Sequence, residues 1–288
     1  MSKPARLPWK HEPSFREALK IPRGFRLADL DPASTPGFQG GKADGSRALA
    51  AGEAELDDLQ ERLHAQATAG APEAVLLILQ AMDTAGKGGI VRHVAGLVDP
   101  QGLQITAFKA PTDEERSHDF LWRIRRALPR PGRIGIFDRS HYEDVLVVRV
   151  NDLAPRAVWS KRYAAINAFE REVVGTRITP VKVMLHLSRE EQQKRLLERL
   201  ERPDKQWKYN PGDVDARTRW EAYMEAYQAV FDRTSTREAP WHVVPADRKW
   251  YARLAVQRLL IEHLREVAPR WPAPSFDPEV ERQRVLES

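Results

Sequence analysis

Five short apolar runs, VLLILQ (75–80), LQITAFK (103–109), RIGIFD (133–138), VKVMLHL (181–187) and HVVPAD (242–247), recur along the chain with helix-length segments between them. Strands joined through helices run the same way, and a parallel sheet must be covered on both faces. The expected fold class is therefore α/β, a three-layer α/β/α sandwich on a parallel five-stranded sheet. Leu56, Leu59 and Leu63 recur at helical spacing, giving a helix over 53–69. Further helices are expected near 88–98, 113–127, 141–150, 156–174, 189–201, 214–233 and 248–267. Sites in such sheets lie beyond the carboxyl ends of the strands, where the segment after residue 80, Lys109 and Asp138 would all fall.

The first run leads directly into AMDTAGKGG (81–89), a glycine loop with a lysine. Inward-pointing N–H groups, the positive end of the next helix and a mobile ammonium make such a loop a phosphate cradle, so Ala85, Gly86, Lys87, Gly88 and Gly89 are expected to hold an anionic chain. Ala81 and Gly88 stand where the usual pattern has its first glycine and a magnesium-binding hydroxyl. Asp83 would repel phosphate unless a cation lay between them, so it is read as replacing that hydroxyl on Mg²⁺. The plainer alternative is a tight strand-to-helix turn with Lys87 in solvent.

RIGIFDRS ends a strand on Asp138, about fifty residues after Lys87, the relation expected of a second magnesium-holding carboxylate, with Arg139 beside it for phosphate. Asp138 as the N-cap of a helix near His141 is the competing reading. Arg123, Arg125 and Arg126 cannot all point one way from a helix, and Arg123 is the one able to turn inward beside Phe120. The segment 188–220 crowds Lys194, Arg195, Arg199, Arg202, Lys205 and Lys208 around a break at Pro203, which suits a mobile lid over 195–219. The eight histidines lack metal-cluster spacing, and His141 and His186 are expected to pack or hydrogen-bond.

With 288 residues the chain is large enough for one α/β core. Its net charge of +5 suits an anionic partner without implying nucleic acid. The absence of cysteine excludes disulfides, thiolate metal sites and cysteine nucleophiles, and no G-x-S-x-G motif offers acyl transfer. No apolar run approaches a membrane span and MSKPARLPWKHEPSF lacks a signal-peptide core, so a cytoplasmic setting is expected. Residues 1–50, rich in Pro and Gly, are expected to form an extended arm with little regular structure, ahead of a phosphate-binding domain over 51–272 and a tail over 273–288.

LLILQAMDTAGKGG, FKAPTDEERSHDFLWRI, FDRSHYEDVLVVRV, RPDKQWKYNPGD and PWHVVPADRKWY together resemble the polyphosphate kinase 2 family. The resemblance implies a P-loop kinase-like core with a helical lid, and Mg²⁺-dependent transfer of the terminal phosphoryl group of inorganic polyphosphate to a nucleotide. It also implies a homo-oligomer, dimer or tetramer. By position Asp83, Lys87, Asp138, Arg139 and Arg199 become the catalytic candidates, with Asp83 and Asp138 holding Mg²⁺ or Mn²⁺ in its place. Asp83, Arg139, Glu143 and Lys208 are the nucleotide candidates; the glycine loop, Arg92, Lys109 and Arg123 are those for polyphosphate. Glu143 matches the family's subclass that accepts both AMP and ADP, so AMP, ADP and ATP are the expected nucleotides, with guanine nucleotides left open and no nucleic-acid or membrane partner. Gly88 departs from the aspartate of the GKDG form of the loop. An ATP-dependent nucleoside monophosphate kinase and a non-catalytic polyanion-binding module are the rivals, the first sharing core, loop and lid.

Overall fold

The structure, a computed structural model, describes residues 14–288. The strands are β1 (Ala74–Ala81), β2 (Leu103–Ala107), β3 (Ile134–Asp138), β4 (Ile178–His186) and β5 (Trp241–Pro245). They form one sheet in the order β2-β3-β1-β4-β5, with every neighbouring pair parallel. The pleat of β1 divides its side chains between two cores: Val75, Leu77 and Leu79 join one, Ala74, Leu76 and Ile78 the other. Burying each of the larger ones is worth roughly 1.5–3 kcal/mol.

Helices Glu53–Thr68 and Lys249–Val267 cover the first face, Arg156–Gly175 and Trp220–Thr234 the second. On the second face Lys182 of β4 is fully buried, its Nζ donating to Glu170 Oε2 at 2.7 Å, Tyr142 OH at 3.0 Å and Thr234 O at 2.7 Å. Burial alone would raise the Glu170 carboxyl, but Lys182 and His141 together more than offset it and the net shift is downward. Tyr142 OH donates to Glu170 Oε1 at 2.6 Å, which anchors the turn after β3 to the core.

Three sequence expectations are corrected. The arm, whose residues 1–13 lie outside the described residues, carries helices Phe15–Leu19 and Lys42–Ala51. The second of these packs so closely that a Cβ on Gly45 would lie 2.2 Å from the Trp250 ring, which only glycine permits. The expected helix over 113–127 is two pieces, Asp113–Ser117 and Trp122–Arg126, interrupted where Asp119 Oδ1 accepts from the Leu121 amide at 3.0 Å. That over 141–150 is a 3-10 turn, His141–Asp144, and one turn of helix, Val147–Val150. The tail includes helix Pro278–Leu286, capped by Asp277 and without a buried side chain. Among the described residues no helix is long and apolar enough to cross a membrane.

His242 and His263 stack edge to face at 5.4 Å in the interior behind β5. Burial pushes the His242 imidazole down to about 3, the neighbouring His263 adding to the shift. A histidine kept neutral in the fold but titrating near 6.5 when unfolded favours the unfolded chain as pH falls below about 6.5, down to the folded value. The wild type is therefore expected to lose more stability than His242→Gln between about pH 7.5 and pH 5 in urea unfolding; equal losses would contradict this.

Candidate active site

β1 delivers the chain to the loop Met82–Gly86, and helix Lys87–His93 begins at once. The turn needs a left-handed residue at Gly86, φ +118°, and places Thr84 there as well, φ +67°. Lys87 is almost buried; its Nζ lies 3.4 Å from Ala81 O and 3.9 Å from Asp138 Oδ1. Asp138 is the last residue of β3, in register with Leu79 of β1. Ser140, not Asp138, caps the following turn by accepting from the Tyr142 amide at 3.2 Å, so the capping reading of Asp138 fails.

Arg139 also adopts positive φ, +64°, and its Nη2 donates to Asp83 Oδ1 at 2.9 Å. Non-glycine residues in this region cost on the order of 1–3 kcal/mol each, and two of the described chain's five flank one site. Burial alone would lower the Arg139 pKa, but Glu143, Asp83 and Asp138 more than offset it, so the guanidinium stays charged.

Two chambers open here. The loop chamber, about 730 Å³, is lined by ten lysines and arginines, Lys87, Arg92, Lys109, Arg139, Arg195, Arg199, Lys205, Lys208, Lys249 and Arg253. Four carboxylates, Asp83, Asp138, Glu198 and Asp213, oppose them. The second chamber, about 540 Å³, is lined by Met82, Glu143, Leu146, Asn151, Tyr223 and Tyr227 among others. Asp83, Arg139, Asn210 and Asp213 line both, so the chambers join at the Asp83–Arg139 pair. An anionic chain in the first and a smaller, partly apolar molecule in the second would meet end to end.

The segment expected to form a lid, 195–219, falls within helix Arg189–Glu201, a short turn Pro203–Gln206 and helix Pro211–Thr218. Arg199 reaches across it, its Nη1 donating to Asp213 Oδ2 and to Lys208 O, both at 3.1 Å. Burial pushes the Asp213 carboxyl up to about 6; the charge of Asp83 adds to this and Arg199 opposes it. Burial likewise raises the Glu143 carboxyl against the pull of Arg139 and Lys87.

The structure brings together Asp83, the loop Ala85–Gly89, Arg92, Lys109, Asp138, Arg139, Arg199 and Lys208 on the loop chamber, and Glu143 with Asp83 and Arg139 on the second. Lys208, expected with the nucleotide group, lines the loop chamber instead, its Nζ 4.9 Å from the Trp207 ring. Arg123 faces inward as expected, its side chain nearly buried and lining a cavity with Phe120, but it does not line the loop chamber: it donates to Lys109 O at 2.9 Å and lies over the Phe108 ring. Arg123 thus braces Lys109 from below.

Sequence reasoning passed over Arg195 and Asp213. Arg195 is buried, its Nη1 donating to Thr84 O and Ala85 O at 3.1 Å, its Nη2 to Ala246 O at 2.7 Å and Asp247 O at 2.9 Å. It ties lid, loop and the end of β5 together. The signal was the spacing Glu191, Arg195, Arg199, which places all three on one helix face. Asp213 gave no such signal beyond the helix start after Asn210 and Pro211.

Residues 39–271 match the family model of polyphosphate kinase 2. The chain belongs to the polyphosphate kinase 2 family. It is similar to the AMP/ADP-polyphosphate phosphotransferase of Meiothermus ruber, 45% identical over 250 residues, covering 87% of this chain and 92% of the relative. The ADP-polyphosphate phosphotransferase of Rhodopseudomonas palustris is 44% identical over 231 residues, 75% of this chain and 78% of the relative. The crystal structure of polyphosphate kinase 2 from Arthrobacter aurescens TC1 superposes with a TM-score of 0.94 at 56% identity, covering 96% of this chain and 98% of that one. The parallel α/β/α architecture read from the strand pattern, with the P-loop kinase-like core that the resemblance implied, is the fold of this family.

Arg195→Met leaves four carbonyl groups without their donor. It is expected to cost roughly 3 kcal/mol in urea unfolding and to weaken tripolyphosphate binding, with little rescue by Arg195→Lys, which cannot fork between loop and β5. Unchanged stability and affinity would contradict the bracing role.

Proposed function

We propose that this protein transfers the terminal phosphoryl group of inorganic polyphosphate to AMP and ADP, reversibly, forming ADP and ATP. The observation that carries this reading is the junction of a long cation-lined chamber with a tyrosine-lined one at Asp83 and Arg139. Besides the carbonyl-bound Arg195, nine cationic side chains line the first chamber, more than one triphosphate needs, which favours a polymeric donor over ATP. A module that only bound polyanions would have no use for the second chamber.

In this reading the polyphosphate end lies over the loop N–H groups and Lys87, with Arg92, Lys109 and the lid cations along its length. The acceptor phosphate enters from the Glu143 side toward Arg139. An acceptor phosphate is already largely ionised near neutral pH, so its oxygen attacks the terminal phosphorus directly, and the shortened polyphosphate leaves with the bridging oxygen. Catalysis then rests on alignment and charge neutralisation, with Arg139 and Arg199 facing the charge that spreads over the equatorial oxygens. Arg199 must exchange its bond to Asp213 for the phosphoryl group, which makes lid closure part of the cycle.

Asp83 and Asp138 suit Mg²⁺, which takes one or two carboxylates and completes its shell with phosphate oxygens and water. Among the described residues no cluster of three or more His, Cys, Asp or Glu offers a metal cage, in keeping with a donor set that substrate completes. Held by Asp83 and Asp138, the cation would neutralise charge on the reacting phosphates; Mn²⁺ would serve in its place. The same reading carries a cytoplasmic homo-oligomer, dimer or tetramer, and leaves guanine nucleotides as acceptors to be tried alongside adenine ones.

Incubation with polyphosphate, Mg²⁺ and AMP is expected to yield ADP and ATP by chromatography, whereas product only with ATP as donor would overturn the reading. Asp83→Ala and Lys87→Ala are each expected to lower kcat by about a thousandfold or more, and chelation of the divalent cation to abolish turnover. Near-normal rates in both variants would contradict these roles. Glu143→Asn is expected to shift kcat/KM toward ADP over AMP by about tenfold.

A further inference from the structure

Gln80 is the one polar side chain of β1, and it is fully buried at the centre of the sheet. An amide there costs free energy unless its donors and acceptor are used. With its nitrogen turned toward the carboxylate, it donates to Glu143 Oε1 at 2.9 Å and accepts from Ser140 Oγ at 3.0 Å and Ser140 N at 3.1 Å. The reverse orientation would set its oxygen against the Glu143 carboxyl oxygen and its nitrogen against the Ser140 amide, so the bonding pattern fixes the orientation.

The turn that carries Glu143 is pinned on every side. Ser140 caps it, Tyr142 OH is held by Glu170, and Asp144 Oδ1 accepts from Arg162 Nη1 at 2.8 Å. Its backbone therefore cannot drift, and the remaining freedom is in the Glu143 side chain. Arg139 and Lys87 act on that carboxylate through their charge, while Gln80 is the group that bonds it.

We propose that Gln80 is a positioning residue for acceptor choice: its amide fixes the Glu143 carboxylate in the chamber wall, so the balance between AMP and ADP depends on a side chain beneath the substrate. This rests on the reading of Glu143 as the acceptor-selecting residue. The role of Gln80 is indirect, because it sits on the strand below the chamber and lines neither cavity.

The test is a double-mutant cycle on nucleotide binding. Calorimetric Kd values for AMP and ADP are measured in the wild type, Gln80→Met, Glu143→Ala and the double variant. Gln80→Met is expected to change the ratio of the two Kd values by about fivefold, in the same sense as Glu143→Ala. In the Glu143→Ala background the same substitution is expected to change it by less than about twofold. An unchanged ratio in Gln80→Met, or equal shifts in both backgrounds, would overturn the proposal. Should Gln80→Met fail to fold, Gln80→Asn, an amide one methylene too short to reach, carries the same expectation. Phosphoryl transfer from polyphosphate is followed separately in the wild type. Its absence beside an intact binding cycle would sink the proposed reaction and leave the role of Gln80 standing, and transfer with an additive cycle would do the reverse.

Discussion

Parallel pairing of β1 with β3, in the register that sets Leu79 beside Asp138, is the constraint from which the site follows. It ends two strands side by side, one on a phosphate-type loop and the other on an Asp-Arg pair. Lys87 then lies between the strand ends, within 3.9 Å of the Asp138 carboxylate. Asp83 and Asp138 face Arg139 and Lys87 in this one corner. Here the strands are buried on both faces, so the corner is held by core packing rather than by its own ion pairs.

The lid extends the same logic. Arg195 is spent on carbonyls of the loop and of the segment after β5, so the base of the lid is rigid. Arg199, one helical turn on, is bound only to groups of the lid itself, Asp213 and Lys208. One arginine anchors and the next is available to move, a division set by position along a single helix. Breaking the Arg199–Asp213 pair is least costly once an anion enters, because phosphate offers the guanidinium more oxygens and more charge than the one Asp213 carboxylate.

The sheet, its parallel sense and the placement of Asp83, Lys87, Asp138 and Arg139 at strand ends were legible in the sequence because each rests on periodicity and on local loop chemistry. What escaped depended on tertiary packing. Arg123 faces inward but toward Phe108 and Lys109 rather than into the loop chamber, and helix Lys42–Ala51 of the arm presses Gly45 against Trp250. Arg195 reads as one more lid cation until its four carbonyl acceptors, drawn from two distant segments, are seen together. Gln80 looks like the polar end of a strand, and only the fold turns it toward Glu143.

The central claim is that polyphosphate and nucleotide occupy separate chambers that meet end to end at Asp83 and Arg139. A single molecule joining adenosine to a chain of six phosphates through its 5′ oxygen should span both. Calorimetric titration of that compound is predicted to give an affinity at least about a hundredfold above that of AMP or tripolyphosphate alone, with competition against each. An affinity no better than the stronger half, or competition with only one of them, would contradict the account.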